Sequence, residues 1–174
     1  MNLFRIDFQE VYERHLCRHG HFGINVLHLI VVLVIYIAIF GLVGAVVDRI
    51  APDNRVLILL GLTLPWFILV LMNCPLRVSC ATAVIVLMLL GLYAVLPRVP
   101  VWVWPVLIFA MHHFQQYSHR IYPMRRNMDR YAEKYRKGPL LFVLLLVYEL
   151  PILLNYLLFG RPDWVAGCSE IVDA

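Results

Sequence analysis

Charge is scarce in this chain. Lys, Arg, Asp and Glu make up 15% of its 174 residues, against roughly a quarter in soluble domains. With 62% of residues hydrophobic and a mean hydropathy of +0.79, that scarcity excludes an ordinary soluble domain. Cysteine is sparse as well. Cys17, Cys74, Cys80 and Cys168 are scattered and form no CxxC pair, so they read as reduced or buried thiols and exclude a disulfide framework. There is no internal repeat or low-complexity tract, and the missing inverted repeat argues against a transporter. The N-terminal MNLFRIDFQEVYERHLCRHG alternates acids and bases before any hydrophobic run, unlike a cleavable signal. The net charge of +4 does not point to nucleic acid, because the bases sit in loops beside apolar spans, where anionic lipid explains them.

What remains is long apolar segments. A transmembrane helix needs about 20 mostly apolar residues. Five segments are candidates, at about 24–47, 56–72, 78–96, 101–117 and 139–159. The expected fold is therefore all-α, a single polytopic membrane bundle of about five helices with a basic loop at 118–138. Pro65 interrupts the second segment, and VWVWP in the fourth supplies an interfacial aromatic belt. With five spans, one side carries Arg5, Arg14, Arg18, Arg77, Arg120, Arg125, Arg126, Arg130, Lys134, Arg136 and Lys137. The other carries only Arg49, Arg55, Arg98 and Arg161. The positive-inside rule then places the N-terminus in the cytoplasm.

Histidine is absent from residue 29 to residue 111, and all seven fall in two short stretches. HLCRHGHFGINVLH holds His15, His19, His21 and His28, and MHHFQQYSH holds His112, His113 and His119. The five-span reading puts both stretches at the cytoplasmic face. Imidazole is the commonest transition-metal ligand and the usual proton carrier near neutral pH. On helical spacing His15 and His19 share a face, as do His21, Asn25 and His28, and as do His112, Gln115, Gln116 and His119, with His113 and Tyr117 beside the last set. Two such stripes at one depth predict a site for one or two metal ions, with amide and carboxylate groups fixing the tautomers. A hydrogen-bonded polar core or a pH-responsive cluster is the plainer alternative.

Glu149 lies in VLLLVYELPILLNYLLF, where a carboxylate must face the bundle interior. Pro151 behind it frees the carbonyl of Val147. At 1.5 Å per residue Glu149 is expected about 15 Å from the start of its helix, too deep to reach the histidines. RIYPMRRNMDRYAEKYRKGP reads as an amphipathic segment on the anionic leaflet, or as a gate for a lipid carboxylate or phosphate.

Tyr12, His19, Asn25 and His28, followed by His112 or His113, a basic loop and a last span holding Glu149, resemble the small family of 2-hydroxy fatty acid dioxygenase-like membrane proteins. The resemblance covers the two ends of the chain. More distantly, His15-x-x-x-His19 is similar to the first box of membrane di-iron hydroxylases and desaturases, although the repeated HxxHH is missing. The resemblance implies a non-haem Fe(II) enzyme oxidising fatty acyl or other lipid substrates. In that scheme His19, His28, His112 and His113 are ligands and His15 or His119 completes the shell. Asn25, Gln116 and Tyr117 support them, and Glu149 carries protons. Two alternatives stand beside it: a non-enzymatic subunit of a homo- or hetero-oligomer, and a b-type haem protein with His28 and His112 as axial ligands.

Overall fold

The computed structural model describes residues 4–121 and 139–160, so most of the basic loop and Cys168 lie outside the described residues. Among the described residues the chain is helical. A short helix precedes the first apolar segment: α1, Phe8–Arg18, begins where the Asp7 carboxylate accepts from the Glu10 amide at 3.2 Å. Phe8, Val11, Tyr12, His15 and Leu16 recur at the spacing of one helix face, and all five are buried. Then follow α2, Phe22–Val47; α3, Arg55–Asn73, entered through a 3-10 turn; α4, Leu76–Val95; and α5, Val103–Ile121. The last is α6, Pro139–Leu154, which runs on as a π turn over Asn155–Phe159.

Among the described residues, three helical segments are long and apolar enough to cross a membrane: Phe22–Val47, Pro52–Asn73 and Leu76–Val95. Their outward surface is apolar, with Leu57, Leu62, Met72, Leu87 and Met88 all exposed, as a lipid-facing surface requires.

α2 runs through the middle and touches α3, α4, α5 and α6. Around it Phe40, Leu59, Leu89, Tyr93, Trp104 and Leu153 form the larger core. A second cluster joins the buried face of α1 to Val70 on α3, Cys74 just past its end, Val78 on α4, and Leu144, Tyr148 and Ile152 on α6. α1 thus closes one end of the bundle. Asn73 staples it there: Oδ1 accepts from the Ile6 amide at 2.9 Å, and Nδ2 donates to the Phe4 carbonyl at 3.3 Å.

The Val147 carbonyl freed by Pro151 does not go unpaired. Trp66 Nε1 donates to it at 3.0 Å, a bond from α3 to α6 that restores what proline removes.

Candidate metal centre

The link between α1 and α2 is three residues, His19–His21, and it brings one end of each helix to the same place. His19 is the C-cap of α1 and His21 the N-cap of α2. Asn25, wholly buried one turn into α2, holds this turn closed. Its Nδ2 donates to the carbonyls of His19 (2.6 Å) and His21 (2.9 Å), while its Oδ1 takes His15 Nε2 at 2.9 Å. Asn25 is therefore a clamp on the backbone that carries the histidines.

With the turn fixed, three imidazoles meet. His19 and His28 are buried and His119 is half-buried, and their nearest ring nitrogens all lie within 4.8 Å of one another. The ring centroids are 4.4 Å apart for His19–His28, 4.9 Å for His19–His119 and 5.0 Å for His28–His119. His15 stacks on the outer side of His19 at 4.3 Å. Two nitrogens on one ion with bonds of about 2.1 Å stand at most about 4.2 Å apart, so small side-chain rotations bring the three donors onto a shared cation.

The surroundings fit that role. A metal-bound histidine characteristically gives its other ring N–H to a carboxylate or a backbone carbonyl. His19 Nδ1 is 3.2 Å from the His15 carbonyl, and His28 Nδ1 is 3.3 Å from Glu149 Oε1. Both point ligation to Nε2. Gln115 Nε2 donates to the same Glu149 oxygen at 2.5 Å and approaches His28 Nδ1 at 3.1 Å. Ser118 Oγ lies 3.2 Å from His28 Nε2 and donates to the Gln115 carbonyl at 2.7 Å, so its hydroxyl occupies the place a metal would take on His28.

The contact between His28 and Glu149 corrects the expected depth gap. His28 is itself about 9 Å along α2, six residues from Phe22. Helical side chains also tilt toward the N-terminus of their helix, and α2 and α6 both start at this end, so Glu149 reaches back toward the histidines.

His112 and His113 stand elsewhere. Both are exposed, and His113 packs against Phe109 with centroids 4.1 Å apart. The inward face of α5 runs through Trp104, Ile108, Met111, Gln115 and Ser118, and His112 falls outside that phase. Gln116 and Tyr117 are also exposed, and Gln115 and Ser118 occupy the supporting positions expected of them. Gln115 was visible on the sequence as part of a polar stripe; Ser118 carried no signal beyond lying three residues from it. His21 is exposed too.

A cleft of about 670 Å³ adjoins the triad, lined by His113, Phe114, Gln116, Tyr117, His119 and Arg120. His119 therefore borders both the imidazole cluster and the cleft. In the apolar cluster beneath α1, burial pushes the Tyr12 phenol up to about 12, with Tyr156 adding to the shift. The phenol is neutral at physiological pH.

Compared with protein families, with characterised proteins and with solved structures, the chain gives no significant match.

Proposed function

We propose that this chain is an integral-membrane metalloenzyme that holds non-haem iron at His19, His28 and His119 and oxidises a lipid acyl chain with dioxygen. The observation that carries the reading is the convergence of three imidazoles from α1, α2 and α5, with Nδ1 of two of them directed to a carbonyl and a carboxylate. His19, His28 and His119 would hold the iron, which would supply the activation of dioxygen.

The chain's own residues do the rest. Asn25 fixes the turn that presents His15 and His19, Glu149 orients the His28 ring, and Gln115 holds the Glu149 carboxylate in place. Arg120 draws an anionic head group to the cleft, where Phe114 and Tyr117 cover the adjoining chain. Glu149 takes the Nδ1–H of His28 and so keeps Nε2 turned toward the centre. α5 and α6 join the three long apolar helices as spans four and five, and the excess of Lys and Arg places the histidine end in the cytoplasm.

Metal analysis of detergent-purified protein tests this, alongside His28→Ala and oxygen uptake with fatty acyl substrates. Near-stoichiometric iron, lost in the variant together with uptake, supports the reading. Metal-free protein that is folded, in wild type and variant alike, overturns it.

One observation favours a second reading, a subunit of a larger membrane complex. α3 fully buries only Leu59 and Val70 among its nineteen residues, and ten of them are exposed, a face open to a partner or to lipid. A single-copy mass in detergent with iron bound argues for the enzyme; a stable metal-free assembly argues for the subunit.

A further inference from the structure

A second polar recess lies at the opposite end of α2, far along the helix from the histidines. It holds about 170 Å³ between the ends of α2 and α3 and the α4–α5 connection. Small residues open it. Gly41 and Ala45 line its α2 wall, and a Cβ at Gly41 would overlap the Trp104 indole, just as one at Gly44 would overlap the Tyr93 hydroxyl. The two aromatic rings lean across α2 because those glycines allow it, and they wall the recess, 6.3 Å apart edge to face.

Asp48 stands at its end. One carboxylate oxygen, Oδ2, accepts from Arg55 Nη1 at 3.4 Å, and the Arg55 guanidinium rests over the Tyr93 ring at 5.0 Å. The other oxygen, Oδ1, is buried and has no hydrogen-bond partner among the described residues. A buried carboxylate oxygen without a donor is costly, so a donor is missing from the picture. On the rim Arg98 is exposed, held between Pro97 and Pro100. The charged groups facing the recess are thus one acid, Asp48, and two bases, Arg55 and Arg98, of which Arg55 is already paired with Asp48.

We infer that this recess binds the head group of a zwitterionic aminophospholipid, its primary ammonium on Asp48 Oδ1 and its phosphate on Arg98. The reasoning is chemical. Asp48 Oδ1 needs a donor, and a primary ammonium supplies a cationic N–H, which a quaternary ammonium lacks and which a glycerol hydroxyl matches only with a neutral, weaker bond. A lone cation leaves Arg98 unanswered, and a lone anion leaves Asp48 unanswered. The location supplies the acyl chains, since Val46, Leu92, Val95 and Val101 beside the recess are exposed and apolar.

Native mass spectrometry of the delipidated full-length chain, offered phosphatidylethanolamine, phosphatidylcholine or phosphatidylglycerol, tests the assignment. The ethanolamine lipid should be retained about tenfold over the other two, the ratio expected for one charge-assisted hydrogen bond. Asp48→Asn should erase that preference. Arg98→Gln, at an exposed side chain where folding is not at stake, should lower retention of the ethanolamine lipid severalfold. Soluble phosphoethanolamine should displace the lipid from wild type and have no such effect on the Asp48 variant. Equal retention of the three lipids overturns the assignment, as does a preference that survives both substitutions. Metal content is read in the same samples, and the lipid result holds whichever way the histidine site turns out.

Discussion

α5 carries histidines of two kinds. His112 and His113 look outward, their rings 6.0 Å apart, while His119, two turns further on, meets His19 and His28. The residues are chemically identical and lie on one continuous helix. What separates them is phase, and phase decides which imidazole meets His19 and His28. A histidine becomes a candidate ligand through the helices opposite it more than through its own.

Four measurements break or sharpen that contrast. The largest effect is expected for His119→Ala, which should lower metal affinity by more than about 100-fold, while the His112→Ala/His113→Ala double variant stays within about twofold. Equal losses in the two, read by metal titration, would mean that the inward and outward histidines do not differ in function. Next, Glu149→Gln removes the carboxylate at 3.3 Å from His28 Nδ1 and should weaken binding 10–100-fold, roughly, with the protein still folded. Unchanged affinity there would sink the orienting role. Ser118→Ala should act in the other direction. Losing the hydroxyl beside His28 Nε2 removes a competitor worth about 1 kcal/mol, raising affinity about fivefold. The smallest signal is at Cys74, where burial pushes the thiol up to about 12. The raised value leaves it neutral until strongly alkaline pH, with about one thiol in ten thousand ionised at pH 8. Maleimide should label Cys74 only after unfolding, and rapid labelling of native protein would show that α1 does not cover this end of the bundle.

The helices were largely legible in the sequence. Segments expected at 24–47, 56–72 and 78–96 appear as Phe22–Val47, Arg55–Asn73 and Leu76–Val95, because long apolar runs bounded by Pro, Asn and Asp leave little choice. The vacancy that Pro151 makes at Val147 was legible from proline chemistry alone, although its occupant, Trp66, was not. The facing of α5 was hidden for a physical reason. From Val103 to Met111 nearly every residue is apolar, so no polar side betrays which way the following His112 and His119 point. α1 was missed as an element although Asp7 and the spacing of Phe8, Val11, Tyr12 and Leu16 announce it, because acids and bases interleave with that stripe. The meeting of His28 with Glu149 spans 121 positions and belongs to tertiary packing, which a single sequence does not display.

The indole bond from Trp66 to Val147 has a mechanical meaning. It grips α6 two residues before Glu149. Advancing α6 by a single residue would carry that carboxylate 1.5 Å along the axis and swing it through about 100°, out of reach of the His28 ring. Trp66 therefore acts as an indexing pin, and a proline defect in one helix becomes the keyway that sets the angular position of an acid in the protein's polar centre.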